Sequence, residues 1–158
     1  MSKSKLIFIT GATKGIGRAT AFTFAKAGWD IILLARDLKA LEKLKNELNE
    51  LNEFDVQVNV CNCDLSNAEI IESSISKVLI DFGCPSLVLN NAGFAYNGDL
   101  IAMPLEQWQK IIQVNLTSIF QICARIVPPM RAKGGLIINV SSHAASNAFP
   151  EWGAYCVT

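Results

Sequence analysis

The sequence lacks an excess of charge of either sign. Its 158 residues include 14 basic and 14 acidic side chains, which are scattered along the chain and give a formal net charge of zero. Neither a nucleic-acid-binding surface nor a membrane-binding patch is therefore expected. A basic leader followed by an apolar segment, an apolar run long enough to span a bilayer, internal repeats and low-complexity stretches are also lacking. These absences predict a soluble, cytoplasmic protein with one domain over residues 1–158.

Cysteine is present, but not in the pattern of a disulfide framework. The five cysteines are an odd number, and all but the last lie within or beside apolar runs: Cys61, Cys63, Cys84, Cys123 and Cys156. The spacing of Cys61 and Cys63 places both side chains on the same face of a strand. Reduced, buried thiols of a cytosolic protein explain this distribution better than a metal site does, so no metal is expected.

The chain alternates between short apolar runs and longer segments with helical spacing. Short runs rich in Ile and Val predict buried strands at 5–10, 30–35, 56–61, 86–91 and 135–142. Helical spacing predicts helices at 15–28, 38–52, 67–82 and 106–131. The alternation predicts an α/β protein with a doubly wound parallel sheet, the Rossmann fold, in strand order 3-2-1-4-5. Ligands of such sheets bind at the carboxyl ends of the strands, where the order reverses.

Two residues predict helix ends. Gly28 follows the first helix at the position of a C-cap glycine. Ser66 is expected to cap the third helix, with Glu69 completing a capping box.

A glycine-rich stretch joins the first strand to the first helix. In TGATKGIG (10–17) the glycines are spaced G-x-x-x-G-x-G, which differs from the common dinucleotide fingerprint. Gly11 would permit the tight turn, Gly15 would let the backbone approach a pyrophosphate, and Gly17 would let the helix pack against the sheet. The helix N-terminus would supply N–H groups and a partial positive charge, so the loop predicts a phosphate-binding site.

The end of the second strand bears on the choice between NAD and NADP. An acidic residue about 20 residues beyond the loop normally binds the ribose 2′-hydroxyl of NAD, but Ala35 and Arg36 stand there. Arg36 and Lys14 together favour a pocket for a 2′-phosphate, and hence NADP (NADPH) over NAD. Asp37 could instead receive a ribose hydroxyl, although it is better interpreted as the N-cap of the second helix.

Several motifs occur together and in a characteristic order. They are TGATKGIG, CDL at 63–65, NNAG at 90–93, Asn115 in a long helix, NVSS at 139–142 and Tyr155. The combination resembles the short-chain dehydrogenase/reductase family, whose members use NAD(P) to interconvert alcohols and carbonyls. The resemblance implies cofactor-binding roles for Gly11, Thr13, Lys14, Gly15, Ile16, Gly17, Arg36, Asp64, Leu65, Asn91, Ala92 and Gly93, with Asp64 beside the adenine ring.

The same resemblance implies three further site residues. Tyr155 would exchange the proton with the substrate oxygen, and Asn115 would interrupt the regular helix and hold a water in a proton relay. The family's serine lies thirteen positions before its tyrosine, which selects Ser142, while Ser141 would face the other side of the strand. His143, the only histidine, is expected to be structural or to face the substrate. The implied activity is the reduction of a ketone or aldehyde to an alcohol.

The family motif is Y-x-x-x-K, and Thr158 is the last residue of this sequence. The resemblance thus implies that the C-terminal part of the family fold is missing and that this chain is a catalytically incomplete fragment of a reductase whose full-length form is a homodimer or homotetramer. The alternatives are a short NADP-binding protein without turnover, or a pairing partner for a full-length reductase. Phe94, Tyr96, Phe149 and Trp152 suggest either an apolar substrate mouth or structural anchors in the loops.

Overall fold

The computed structural model describes residues 5–50 and 55–158 and has a central sheet of five short strands. The strands are β1 (Leu6–Thr10), β2 (Asp30–Ala35), β3 (Val58–Asn62), β4 (Leu87–Asn90) and β5 (Leu136–Asn139). All five residues of β1 are buried, because the strand lies in the middle of the sheet and is covered on both faces. This burial explains why its sequence is continuously apolar rather than alternating.

The sheet is parallel throughout and its strand order is β3-β2-β1-β4-β5. Both the parallel arrangement and the order confirm the prediction of a doubly wound, Rossmann-type sheet. The register pairs Ile7 of β1 with Ile31 of β2 on one side and with Leu87 of β4 on the other. The order reverses between β1 and β4, so the carboxyl ends of these two strands form the crevice where the site was expected.

Helices cover both faces of the sheet. They are α1 (Gly15–Lys26), α2 (Leu38–Glu50), α3 (Ala68–Asp81), α4 (Leu105–Ile112), α5 (Ser118–Arg131) and α6 (Gly153–Cys156). One apolar core lies between the sheet and α1 and α2, and includes Ile7, Leu33 and Leu41. The other lies beneath α3 and α5 and includes Phe8 and Ile122. Successive residues of β1 therefore serve different cores, as the two-residue period of a strand requires.

The helix ends agree with one sequence prediction and correct another. Gly28 has a φ of 72° and donates its N–H to the carbonyl of Ala25, which confirms the predicted glycine after α1. The cap of α3 is Asn67 rather than Ser66, because α3 starts at Ala68 and the Asn67 amide oxygen accepts from the N–H of Glu69 at 3.1 Å. Leu51, at the predicted end of the second helix, lies outside the described residues.

The fifth strand is shorter than predicted. It ends at Asn139, so that Ser141 and Ser142 both lie beyond the sheet. Strand alternation therefore does not decide which face each serine takes. Instead Ser142 caps a 3-10 turn over His143–Ala145, since its hydroxyl oxygen accepts from the N–H of Ala144 at 3.2 Å.

The segment from Leu105 to Arg131 forms one continuous helical path of 27 residues, with a mean hydropathy of 1.3 in its most apolar window. By length and composition alone it could cross a membrane, which corrects the expectation that no segment is long enough. The core helix of a soluble protein meets the same criteria. Here one stripe of α5, including Ile122 and Ile126, is buried against the sheet and α3, and 28% of the most apolar window is buried.

Candidate cofactor-binding site

The carboxyl ends of β1 and β4 are joined by the side chains of Thr10 and Asn91. The Thr10 hydroxyl oxygen accepts from the backbone N–H groups of Asn91 and Ala92, each at 2.9 Å. The Asn91 amide donates in return to the carbonyls of Thr10 at 3.0 Å and Gly11 at 3.3 Å. These bonds satisfy polar groups that the diverging strand ends leave without ladder partners, and they fix the floor of the crevice.

Two glycines of the loop stand where no side chain fits. Gly11 has a φ of 62°, and a Cβ there would lie 2.9 Å from the Cα of Ala92. A Cβ on Gly17 would lie only 2.5 Å from the carbonyl oxygen of Gly11. The glycine at 17 thus lets the start of α1 approach the loop backbone and also the side chain of Asn91 just after β4, where a Cβ would lie 2.7 Å from the amide nitrogen. The contacts with Ala92 and Gly11 are with backbone atoms, which cannot move aside as a flexible side chain can.

The start of α1 has the geometry of an anion site. Lys14 occupies the N-cap position in extended conformation, with φ −151° and ψ 168°. A lysine side chain carries no hydrogen-bond acceptor, so it cannot satisfy the N–H groups of the first turn, which are available to an external acceptor. Gly15 has a φ of 55°, and a Cβ built on it would meet no atom within 4 Å. The residues present therefore leave room for a phosphate group directly over the helix end.

A cavity of about 320 Å³ extends from this loop across the strand ends. Its lining consists of Gly11, Thr13, Lys14, Leu34, Ala35, Arg36, Cys63, Asp64, Leu65, Ala92, Gly93, Phe94, Lys110 and Val114. Eight of the twelve predicted cofactor residues are among them. The other four, Gly15, Ile16, Gly17 and Asn91, adjoin the described lining: Gly17 and Asn91 pack beneath it, and Gly15 and Ile16 are exposed at the helix start.

Positive charge predominates in this lining. Lys14, Arg36 and Lys110 contribute cations, and Asp64 contributes a carboxylate. The Asp64 pKa is lowered from its ordinary value of 3.8, mainly because its carboxylate accepts from the backbone N–H of Ser66 at 2.9 Å, while partial burial opposes the shift. The nearby Arg36 and Lys110 lower this pKa further. Asp64 therefore both closes the turn before α3 and faces the cavity as an anion.

Sequence reasoning missed one wall of the cavity. Lys110 and Val114 stand four residues apart on the helical path that leads to Asn115, so they share a face. Phe94, which the sequence left as either part of a substrate mouth or a structural anchor, lines the cavity, and the Lys110 Nζ lies 6.0 Å from the centre of its ring.

Asn115 lies in an irregular turn of its helix. Residues Gln113–Thr117 adopt π-helical geometry between α4 and α5, and Asn115 is 8% exposed. Its amide oxygen accepts from the Phe94 N–H at 3.1 Å, and its amide nitrogen donates to the Phe94 carbonyl at 3.0 Å. The same nitrogen donates to the Thr158 hydroxyl at 3.0 Å. π-Helical turns often occur at functional sites, and this one links the cavity wall to the end of the chain.

Tyr155 lies in α6, next to the turn that Ser142 caps. The Thr158 hydroxyl donates to the Tyr155 carbonyl at 3.0 Å, so Asn115, Thr158 and Tyr155 form one hydrogen-bonded chain. The 3-10 turn at His143–Ala145 packs against α6, and α6 packs against α4. None of the three predicted catalytic residues, Ser142, Tyr155 and Asn115, is among the described residues that line the cavity. Asn115 adjoins it, because its amide bonds to the backbone of Phe94, which does line it.

Comparison with known sequences identifies the chain's relatives. The sequence profile of the family described as short chain dehydrogenase matches residues 5–158. An uncharacterised oxidoreductase of Mycobacterium bovis is 33% identical over 156 residues, which cover 97% of this chain and 46% of that protein. A 3beta-hydroxysteroid dehydrogenase of Mediterraneibacter gnavus is 32% identical over 155 residues, or 96% of this chain and 54% of the relative. The chain spans about half the length of these curated relatives.

Solved structures resemble the whole described fold. A metagenomic short-chain oxidoreductase in complex with NADP superposes with a TM-score of 0.90 at 31% identity, covering 98% of this chain and 70% of that one. L-sorbose reductase from Gluconobacter frateurii, complexed with NADPH and L-sorbose, gives 0.90 at 31% identity over 98% of this chain and 59% of its own. An NAD⁺-bound xylitol dehydrogenase gives 0.87 at 28% identity, with coverages of 98% and 59%.

Proposed function

Because the chain belongs to the short-chain dehydrogenase family, we propose that it binds NADPH in the cavity at its strand ends. We further propose that it forms part of an oxidoreductase that reduces a ketone or aldehyde to an alcohol. The observation that carries the proposal is the cavity itself, which combines a glycine loop, a helix N-terminus and the cations Lys14 and Arg36. This combination suits the phosphates of a dinucleotide. When bound, the cofactor would supply the hydride.

The preference for NADPH is supported by what surrounds Arg36. The preceding residue, Ala35, has no group that could bind a ribose hydroxyl through its side chain. Asp37, the remaining carboxylate at this strand end, uses Oδ1 to accept from the N–H of Ala40 at 3.0 Å, as an N-cap does. Arg36 and Lys14 are thus the side chains in the lining that would face a 2′-phosphate. Arginine is well suited to such a contact, because its fork of donors matches phosphate geometry.

We assign the proton chemistry to Tyr155 and the binding of the substrate oxygen to Ser142. As negative charge develops on that oxygen, a serine hydroxyl can donate a hydrogen bond to it and a phenol can donate a proton. A tyrosine pKa is ordinarily about 10, so a nearby positive charge is needed for exchange near neutral pH. Asn115 supports this arrangement by holding α6 through Thr158. A water bound beside it would extend the proton path.

We also propose that the protein acts in the cytoplasm and that the whole protein pairs with copies of itself. The outer face of α5 supports the second proposal, since Leu116 before it is 51% exposed and Phe120 on it is 71% exposed. Large apolar side chains grouped in this way commonly lie in an interface.

A titration with both cofactors tests the proposal. The purified chain is expected to bind NADPH at least about tenfold more tightly than NADH, as followed by cofactor fluorescence at fixed salt. Replacing both Lys14 and Arg36 by alanine should abolish the difference by weakening NADPH binding more than NADH binding, since NADH lacks the 2′-phosphate. A matched control, Lys43→Ala with Lys39→Ala on α2, removes two exposed charges that do not line the cavity. Equal affinities of the unmodified chain for NADPH and NADH would refute the 2′-phosphate pocket.

A further inference from the structure

Four ring side chains form a continuous series that begins beside Ser142 and ends at Tyr155. We name this series, His143, Phe149, Trp152 and Tyr155, the aromatic row. Its ring centres are separated by 6.0 Å from His143 to Phe149, 5.9 Å from Phe149 to Trp152 and 5.7 Å from Trp152 to Tyr155. These are edge-to-face or tilted contacts, the favourable arrangements for aromatic pairs. The row therefore runs from His143, the residue after Ser142, to Tyr155 itself.

The two central rings of the row, Phe149 and Trp152, are exposed even though they are apolar. Phe149 is 39% exposed and Trp152 is 38% exposed, although both belong to one packed group. Leaving such large rings in water forgoes stabilisation that burial would provide. A contiguous apolar surface of this kind, placed beside a reaction centre, is typical of a ligand-binding wall.

Hydrogen bonds to the loop at Asn97 and Gly98 also hold the row in place. The indole N–H of Trp152 donates to the Asn97 side-chain oxygen at 3.0 Å, and the N–H of Gly98 donates to the Glu151 carbonyl at 3.0 Å. Glu151 itself has a φ of 64°, an unfavourable conformation for a residue with a side chain. Backbone strain of this kind persists only where the surroundings hold it, and it concentrates at ligand sites. The strained turn fixes the orientation in which Trp152 presents its ring.

Two amide side chains beside the row bond to it. The Asn97 amide oxygen accepts from the Trp152 indole, and the Asn147 amide nitrogen lies 3.2 Å from a ring nitrogen of His143 and donates to the His143 carbonyl. A polyhydroxylated substrate needs several hydrogen-bond partners to replace the water it loses. The two central rings, Phe149 and Trp152, offer apolar faces, and the indole donor of Trp152 is already used.

From these contacts we infer that the aromatic row binds the flank of the carbonyl substrate, and that this flank is a planar apolar ring system, as in an aryl or polycyclic ketone, rather than a sugar chain. The inference rests on the proposed function, because it takes Ser142 and Tyr155 as the groups that meet the carbonyl. It adds the substrate class, which the family alone leaves open.

Binding of two probe ketones tests the inference. Naphthyl methyl ketone and L-sorbose are titrated separately into the purified chain saturated with NADPH, and binding is measured calorimetrically. The aryl ketone should bind at least about tenfold more tightly than L-sorbose. Phe149→Ala should weaken aryl ketone binding about tenfold, through loss of a ring contact and its buried area. Phe149→Leu, which keeps the apolar volume, should recover part of the loss.

Ile80→Ala is the control, since it removes an exposed apolar side chain from α3, outside the row and the cavity lining. It should leave aryl ketone affinity within about twofold of the unmodified chain. The inference is overturned if L-sorbose binds as tightly as the aryl ketone, or if Phe149→Ala and Ile80→Ala have the same effect. Failure of NADPH to bind would refute the proposed function instead, and ketone titration without cofactor would still show whether binding depends on Phe149.

Discussion

At the scale of single residues, the site depends on contacts that composition does not reveal. The sequence identified Gly11, Gly15 and Gly17 as a phosphate loop from their spacing and their place after a strand. The reason for glycine differs between positions: at Gly17 a Cβ would collide with the carbonyl of Gly11, whereas at Gly15 the positive φ favours glycine and the space around it is open. Distances between loop atoms carry this information, and a linear motif does not.

Gly17→Ala tests the close approach. At an unconstrained helix position, alanine in place of glycine stabilises by about 1 kcal/mol. Here the added Cβ would lie 2.5 Å from a backbone oxygen, so the change should instead destabilise the protein by about 1–3 kcal/mol and weaken NADPH binding. Urea unfolding measures the first effect and cofactor fluorescence the second. A gain in stability would show that the helix start does not lie this close to the loop.

Replacing Lys110 tests whether the cavity wall formed by Lys110 and Val114 contributes to cofactor binding. The Lys110 ammonium group lies over Phe94 and lines the cavity beside Asp64. Lys110→Ala should weaken NADPH binding about two- to fivefold at low salt, since a half-exposed charge contributes modestly. The effect should shrink as salt is added. Lys43→Ala on α2 removes the same charge outside the cavity and should change the affinity less than Lys110→Ala; equal effects would place Lys110 outside the site.

At the scale of elements, the sheet was predictable from the sequence pattern, strand ends were not, and the interrupted helix at Asn115 was expected only from the family resemblance. Continuous apolar runs located all five strands, and their alternation with helices fixed a parallel sheet with the observed order. Ends were harder, because β5 stops at Asn139 where local turn formation by Ser142 takes over. The π-helical turn at Asn115 is set by bonds to Phe94 and Thr158, which are distant in sequence. Helical periodicity carries no signal for such long-range bonds.

Asn115→Ala tests that turn. The substitution would leave the N–H and carbonyl of Phe94 without their side-chain partner in a half-buried setting, and should cost about 1–3 kcal/mol of unfolding free energy. It should also weaken NADPH binding, because Phe94 lines the cavity. Gln109→Ala, at an exposed position of α4, is the control for a polar side chain removed from the same helical path. Equal stability of the two variants would contradict a tethering role for Asn115.

The buried Cys61 of β3 predicts that the protein loses stability at alkaline pH. Burial raises the pKa of Cys61 from 9.0 to about 12, and the neighbouring Cys63 adds to the shift. A raised folded-state pKa means that the folded protein keeps a proton which the unfolded chain loses, so stability should fall as pH rises from about 9 to about 12. Cys61→Ala should be less stable near neutral pH but show a shallower decline over this window in urea unfolding. An identical decline in both proteins would exclude Cys61 as its source.

At the scale of the whole molecule, the cavity at the carboxyl ends of the strands and the aromatic row are connected through Asn115 and Thr158. The cation-lined cavity suits a dinucleotide, and the aromatic row suits an apolar ketone; Asn115, which bonds to Phe94 and Thr158, connects the segments that carry them. The position of the cofactor in the cavity is therefore the central claim, since the roles of Ser142, Tyr155 and the row all depend on it.

Backbone hydrogen exchange with and without saturating NADPH tests this claim most directly. Bound cofactor should slow exchange at residues 13–17, 36, 64–65 and 92–94, with little change along the outer face of α2, because only the former adjoin the cavity. Saturation with NADPH that protects a different surface, or protects none of these segments, would contradict the account.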